Sequence, residues 1–295
     1  MPFDQERERN LLRTKVEALR KLDYLPADLL EFVNEIYGVQ ITARAEARVL
    51  LPGEDKLARP ELRVQGAPLL SRFDLPFDAE QARALFAGFC KQLQSQSSGL
   101  RAAGESIAAH CASHGDECDL AFLAYRNQDE DYFTRWAERT ADAPRAMAFL
   151  AQSAMTPSLA AASDQLAEVL PAEDIWEHGY CPVCGSLPLI GCLEHTEGGR
   201  KLCCSYCLMR YRVVRIGCPF CGEKNFNKIS YLHTPEDPSF KVHVCSTCSC
   251  YIKTADFRES DFVSLPLFDD LQSLPLDILA QKKGYRRPTP SGWGF

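Results

Sequence analysis

No run of about 18 apolar residues occurs anywhere in this 295-residue chain, so no segment is expected to cross a bilayer as a helix. Positive charge is also short. The 33 lysines and arginines stand against 40 acids, and the resulting net charge of -7 argues against a dedicated nucleic-acid binder. The opening MPFDQERERN is charged at once and has no apolar core, so no secretory signal is expected there and a cytoplasmic protein is. No Ser/His/Asp set, carboxylate pair or glycine-rich phosphate loop stands out, so no catalytic centre is expected. Cysteine is sparse through residue 178, where only Cys90, Cys111 and Cys118 occur.

What this first stretch does contain is helical periodicity. Leu12, Val16 and Leu19 share one helix face, as do Leu29, Val33 and Ile36 after Pro26. Asp78 with Gln81 reads as a variant capping box leading into Leu85, Phe89 and Leu93. Further helices are expected near residues 100–112, 117–126, 129–140, 144–155 and 157–169, and their dense alanine suits close helix packing. Four prolines and two glycines between Leu50 and Pro76 mark a loop wrapping the surface.

The texture changes near Pro171. Four Cys-x-x-Cys pairs follow: Cys181/Cys184, Cys204/Cys207, Cys218/Cys221 and Cys245/Cys248. The first and third are near copies, each with proline inside and glycine after, whereas the second and fourth share a Cys-Ser-x-Cys form. One module is thus written twice at a period of roughly 40 residues. Within the modules, Leu187–Leu193 and Arg200–Cys203 flank a Gly198-Gly199 turn, and Lys228–His233 and Phe240–Val244 flank TPEDPS. Met209 to Gly217 reads as a strand joining the first ribbon to the third pair, and Asp269 to Lys283 as one amphipathic helix interrupted by Pro275, before a Pro- and Gly-rich tail.

Spacing carries the chemistry. A Cys-x-x-Cys turn aims two sulfurs at one ion with backbone N–H groups facing the thiolates, and the following glycine takes positive φ. Eight thiols complete two tetrahedral sites for a soft cation, zinc or a single iron. Pairing first with second and third with fourth follows the repeat; an interleaved cross-brace is the alternative. Thiol–disulfide exchange fits poorly, because glycine follows Cys184 and Cys221 and no βαβ pattern surrounds them. Nucleic-acid binding is weakened too. Between residues 181 and 257 nine lysines and arginines face six acids, an excess that two tetrathiolate sites of about −2 each would cancel. Arg210, Arg212 and Arg215 remain a candidate patch for an acidic partner. Cys192 and Cys203 could face each other across the first hairpin but are expected to pack as small residues, Cys250 could substitute for a ligand in a misassembled site, and His195, His233 and His243 are unneeded as ligands.

These residues resemble the FdhE family, accessory proteins of formate dehydrogenase. The resemblance rests on Tyr180 to Ser186, on Cys204-x-x-Cys207 running into Tyr211–Arg215, and on Cys218-x-x-Cys221. It continues through Cys245-x-x-Cys248 with Tyr251-Ile252-Lys253, then Leu274-Pro275-Leu276-Asp277 and Gly284-Tyr285. It implies a non-catalytic cytoplasmic protein that contacts the molybdenum-containing catalytic subunit of respiratory formate dehydrogenase before twin-arginine export. It also implies rubredoxin-like sites, which favours iron over zinc, with Cys181, Cys184, Cys204, Cys207, Cys218, Cys221, Cys245 and Cys248 as ligands. Neither nucleic acid nor membrane insertion belongs to that picture.

The expected fold is therefore α+β. A helical domain spans residues 1–178, two tandem rubredoxin-like or zinc-ribbon modules span 179–217 and 218–262, and a helix with its tail fills 263–295. Two other functions share these motifs, a rubredoxin-like electron carrier and a zinc-ribbon nucleic-acid-binding protein.

Overall fold

A computed structural model describes residues 3–96, 98–171, 175–194, 199–234, 237–260 and 262–291. His195, Gly198 of the first turn, Pro235 and Glu236 of the second, and the last four residues of the tail lie outside the described residues. The chain forms two compact units, one built from residues 3–51 and 73–162 and the other from 52–72 and 163–291.

In chain order the helices are α1 (Gln5–Leu19), α2 (Ala27–Glu46), a short α3 (Pro60–Val64), α4 (Ala79–Gln94), α5 (Ser98–Ser113), α6 (Glu117–Asn127), α7 (Glu130–Arg139) and α8 (Ala146–Ala167). Apart from α3 and the end of α8 beyond residue 162, they build the first unit, and three starts are capped alike. The carboxylates of Asp4, Asp78 and Asp129 accept from the N–H groups of Arg7, Gln81 and Tyr132, satisfying donors that a helix N-terminus leaves free. At Asp78 only half of the expected capping box forms, because the Gln81 amide donates instead to the Ala43 carbonyl at 2.8 Å and ties α4 to α2.

The two helices expected at 144–155 and 157–169 are one, since Pro157 lies inside α8. A proline there withdraws the N–H owed to the carbonyl four residues back, that of Ser153. Gln40 of α2 replaces it, its Nε2 donating to Ser153 O at 2.8 Å in a buried position. Alanines 146, 148, 151, 154, 160, 161 and 162 are all buried, so α8 is covered around its girth and holds together by packing. Gln40→Ala is expected to cost about 1–3 kcal/mol in urea unfolding by orphaning that carbonyl. In a Pro157→Ala background, where the helix regains its own donor, the same substitution should cost distinctly less. Equal costs in both backgrounds would refute the arrangement.

The second unit departs from the expected boundary at 178. Residues 52–72, placed by texture with the helical half, pack with the cysteine region. Leu69 and Leu70 donate their N–H groups to the carbonyls of Pro182 and Val183 at 2.9 and 3.0 Å, so this excursion is hydrogen-bonded across the first knuckle. Tyr180 Oη donates to Gly66 O at 2.8 Å and reinforces the clasp. Proline and glycine keep the segment out of long helices; its local turns satisfy much of its backbone, while the N–H groups of Leu69 and Leu70 find their partners more than 100 residues away.

Six strands follow: β1 (Pro188–Glu194), β2 (Gly199–Cys204), β3 (Arg210–Val213), β4 (Ile229–Leu232), β5 (Phe240–Cys245) and β6 (Tyr251–Asp256). They form one sheet in the order β3-β2-β1-β6-β5-β4. Each module contributes an antiparallel three-stranded ribbon. β1 and β6 join the ribbons in parallel, Gly191 opposite Thr254 and Leu193 opposite Asp256. The two tandem modules are accordingly lobes of one continuous sheet. The expected joining strand from Met209 to Gly217 is shorter, since β3 pairs back onto β2 and ends at Val213.

The expected single C-terminal helix is two, α9 (Pro266–Gln272) and α10 (Leu274–Lys282). Pro275 cannot donate to Leu271, and Ser273 sits at the break with its hydroxyl donating to Asp269 O at 2.6 Å. α10 stops in a Schellman turn. Tyr285 N donates to Ala280 O and Gly284 N to Gln281 O, with Gly284 at φ +85°. The chain then returns to the sheet, where Arg286 exchanges backbone bonds with Ser249 and Tyr251.

Candidate metal centres

Knuckles of like sequence fold alike. In the first and third, Gly185 and Gly222 both sit at φ +73° and donate to the carbonyls of Cys181 and Cys218, while the N–H groups of Cys181 and Cys218 donate to Ser186 O and Glu223 O. In the second and fourth, Cys204 N donates to Met209 O and Cys245 N to Cys250 O, both at 2.9 Å. These two turn at Leu208 and Ser249, residues with φ of +58° and +55° where no glycine announces the bend. Backbone amides face the sulfurs, Tyr206 N lying 3.3 Å from Cys204 Sγ. The Phe220 and Cys221 amides turn to Cys218, and those of Thr247 and Cys248 to Cys245.

β1–β2 and β4–β5 fold each pair of knuckles face to face. Cys181, Cys184, Cys204 and Cys207 form one cluster, and Cys218, Cys221, Cys245 and Cys248 the other, each with its sulfurs within 4.8 Å of one another. The sulfurs group first with second and third with fourth, not as a cross-brace. Contacts of 3.5 to 3.7 Å run between Cys184 and Cys204, Cys184 and Cys207, and Cys181 and Cys207; Cys218–Cys248 and Cys221–Cys245 stand at 3.6 and 3.7 Å. A tetrahedral ion with metal–sulfur bonds of about 2.3 Å requires sulfurs about 3.8 Å apart, whereas a disulfide requires about 2.05 Å. The donor set therefore fits a closed tetrathiolate site twice over, with no position left for a substrate.

The clusters differ in exposure. All four sulfur residues of the first are buried, clasped by residues 66–70. Beside it Arg72 stacks 3.7 Å over the Tyr206 ring and donates to Ser186 Oγ at 3.2 Å. In the second, Cys221 is exposed and Cys248 half-buried. Burial pushes the Cys181 and Cys207 thiols up, while hydrogen bonds from Cys181, Cys204, Cys207 and Ser186 outweigh burial at Cys184 and bring it down. Four sulfurs so placed ionise together only around a cation, so binding releases protons.

The remaining candidates separate cleanly. Cys192 sits opposite Lys201 and Cys203 opposite Ile190, so the two do not face each other across the hairpin. Cys192 packs with Phe240 and Val242, its thiol pushed up to about 12 by burial. Cys250 is buried outside the second cluster, its Sγ 3.5 Å from Cys248 O. His233 is exposed and His243 buried, and neither joins a cluster. Of the basic patch, Arg210 is engaged with Ser264 O at 2.6 Å and with Glu194 at 3.9 Å.

Residues 216–292 match the FdhE C-terminal domain. That stretch of the chain resembles the C-terminal domain of the FdhE family. The FdhE homolog of Aquifex aeolicus is 34% identical over 123 residues, and that of Haemophilus ducreyi 38% over 128. Escherichia coli FdhE is 34% identical over 130 residues. These matches cover 41–42% of this chain and 41–43% of the relatives, so the matched stretch spans about two fifths of their length. The crystal structure of FdhE from Pseudomonas aeruginosa shares the fold, with a TM-score of 0.65 at 24% identity over 97% of this chain and 95% of that one. No helix among the described residues is long and apolar enough to cross a membrane.

The FdhE motifs outside the cysteines meet in one buried ionic cluster. Lys253 Nζ lies 2.9 Å from Asp270 Oδ1 and 2.5 Å from Asp277 Oδ2. Tyr251 Oη donates to Asp277 Oδ1 at 2.7 Å, and Arg287 reaches Asp270 at 2.5 Å and Leu189 O at 3.2 Å. The cluster pins α9, α10 and the tail to the sheet that carries both metal centres. Sequence reading named Tyr251, Lys253 and Asp277 as motif residues without seeing this role. Arg72, Asp270 and Arg287 escaped it, because nothing local marks an arginine or aspartate as buried and paired.

Proposed function

We propose that this chain is a non-catalytic accessory protein required for formate dehydrogenase activity, and that it engages the immature catalytic subunit in the cytoplasm before export. The match of residues 216–292 to the FdhE C-terminal domain carries the reading, and two closed tetrathiolate centres with no open coordination position support a scaffold over an enzyme. In the proposal each cluster holds one metal ion through its four cysteines, iron from the family resemblance and zinc as the alternative. The ions rigidify both lobes of the sheet into a docking platform. Deleting the chain from its native cells is expected to abolish formate-dependent dye reduction, and the intact chain supplied in trans to restore it. Affinity purification from those cells should recover the catalytic subunit together with two equivalents of metal. Full formate dehydrogenase activity in the deletion strain would refute the function.

The exposure of Cys221 favours a second reading, electron transfer through the second centre. Iron-loaded protein whose visible spectrum bleaches on reduction supports it, and colourless zinc-only protein from native cells eliminates it.

A further inference from the structure

Arg200, at the start of β2, is among the largest fully buried side chains of the molecule, 2% exposed. Its Nη1 donates to Gly217 O at 2.8 Å, and Gly217 directly precedes the ligand-position residue Cys218. Among the described residues, Nε and Nη2 find no hydrogen-bond partner and this guanidinium joins no ion pair. A buried charge without a counter-charge is among the costliest arrangements a protein holds. Among the described residues the groups that act on it are Tyr231 of β4, the Cys218 thiol and Tyr211 of β3, and none is a carboxylate. Burial draws the guanidinium down to about 10, which leaves it charged at neutral pH. His243 of β5, pushed well below its ordinary value by burial and then by Arg200, is neutral and offers no balance. Its Nε2 is likewise without a partner.

Negative charge does lie close by in one form. Four thiolates around a divalent ion sum to about −2, and the second cluster begins one residue beyond the carbonyl that Arg200 holds. We infer that Arg200 is the resident counter-charge of the Cys218/Cys221/Cys245/Cys248 centre, so that a strand of the first ribbon sets how firmly the second ribbon holds its metal. Arg200 is a positioning and charge-balancing residue, touching the knuckle backbone and acting on the thiolates through space. With Cys221 exposed and Cys248 half-buried, this centre lacks the burial that seals the first.

The inference rests on metal occupancy of the second cluster, not on the client. Zinc stoichiometry of the unaltered full-length chain after reconstitution with zinc tests occupancy alone: two equivalents are expected, and one would overturn it. Chelator-driven zinc release should then show a slow phase from the sealed centre and a fast phase from the open one, with Cys221→Ser abolishing the fast phase. Arg200→Met is expected to accelerate the fast phase on the order of tenfold and leave the slow phase unmoved, while Arg200→Lys releases like the parent. An unchanged fast phase in Arg200→Met would overturn the inference. So would a lysine variant as leaky as the methionine one, because shape and not charge would then be at issue. Should Arg200→Met misfold and lose both phases, Arg200→Gln, polar and uncharged, is judged by the same two criteria.

Discussion

Lys253→Met is expected to lower folding stability by about 3–5 kcal/mol, read as an earlier urea midpoint with unchanged slope. Lys253 is fully buried between Asp270, itself fully buried, and Asp277. It also donates to Asp270 O at 2.7 Å. Its removal leaves two carboxylates sharing only Arg287, whose contacts to Asp277 are 3.5 Å long. Breaking a buried ionic set costs more than the set contributes, because the surviving partner keeps its desolvation penalty. Replacing Lys253, Asp270, Asp277 and Arg287 together by apolar residues of similar volume should therefore recover much of the loss. If Lys253→Met proves neutral, the cluster does not hold α9 and α10 to the sheet.

The same cluster predicts acid sensitivity. Burial alone would raise the Asp270 carboxyl, but Arg287 and then Lys253 outweigh it and hold it below the ordinary carboxylate value. A carboxyl depressed in the folded state contributes stability that is full above its unfolded pKa and lost as pH falls through the folded one. Stability of the unit that carries the cysteine clusters should accordingly drop as pH falls below the usual carboxylate range. Asp270→Asn should remove that part of the slope.

Cys181→Ser is expected to reduce metal content from two equivalents per chain to one and to loosen the first lobe. Metal binding and folding of such modules are coupled through about 10–16 kcal/mol of binding free energy, so a three-sulfur site forfeits a large share of local stability. Cys181 is fully buried, and its N–H and C=O also build the knuckle turn through Ser186 and Gly185. Cys218→Ser should remove the other equivalent with a smaller structural penalty, because the second centre is shallower. Metal analysis with hydrogen exchange on each lobe reads both effects. Two equivalents retained in both variants, with formate dehydrogenase still active, would show that these cysteines are not the ligands.

How far these outcomes were legible in the sequence depends on range. Knuckle turns are local chemistry, so Cys181 to Gly185 and Cys218 to Gly222 announced their geometry, and the repeat pointed to the pairing of knuckles within each ribbon. Helix caps at Asp78 and hairpins at β1–β2 and β4–β5 follow from patterns a few residues long. Pro157 misled because its rescue comes from Gln40, on another helix. Residues 52–72 misled because their hydrogen-bond partners, Pro182 and Val183, lie far along the chain.

By itself, then, the sequence determined the eight sulfurs, their grouping by fours and the α+β division, since each rests on spacing that a backbone turn or a helical period enforces. Only the tertiary structure decided that the two ribbons share one sheet through the parallel β1–β6 pair, and that one centre is sealed while the other stays open. It also decided that Lys253 and Arg200 are buried charges. Burial and long-range pairing are properties of what surrounds a residue, and no local pattern encodes which distant segment will arrive.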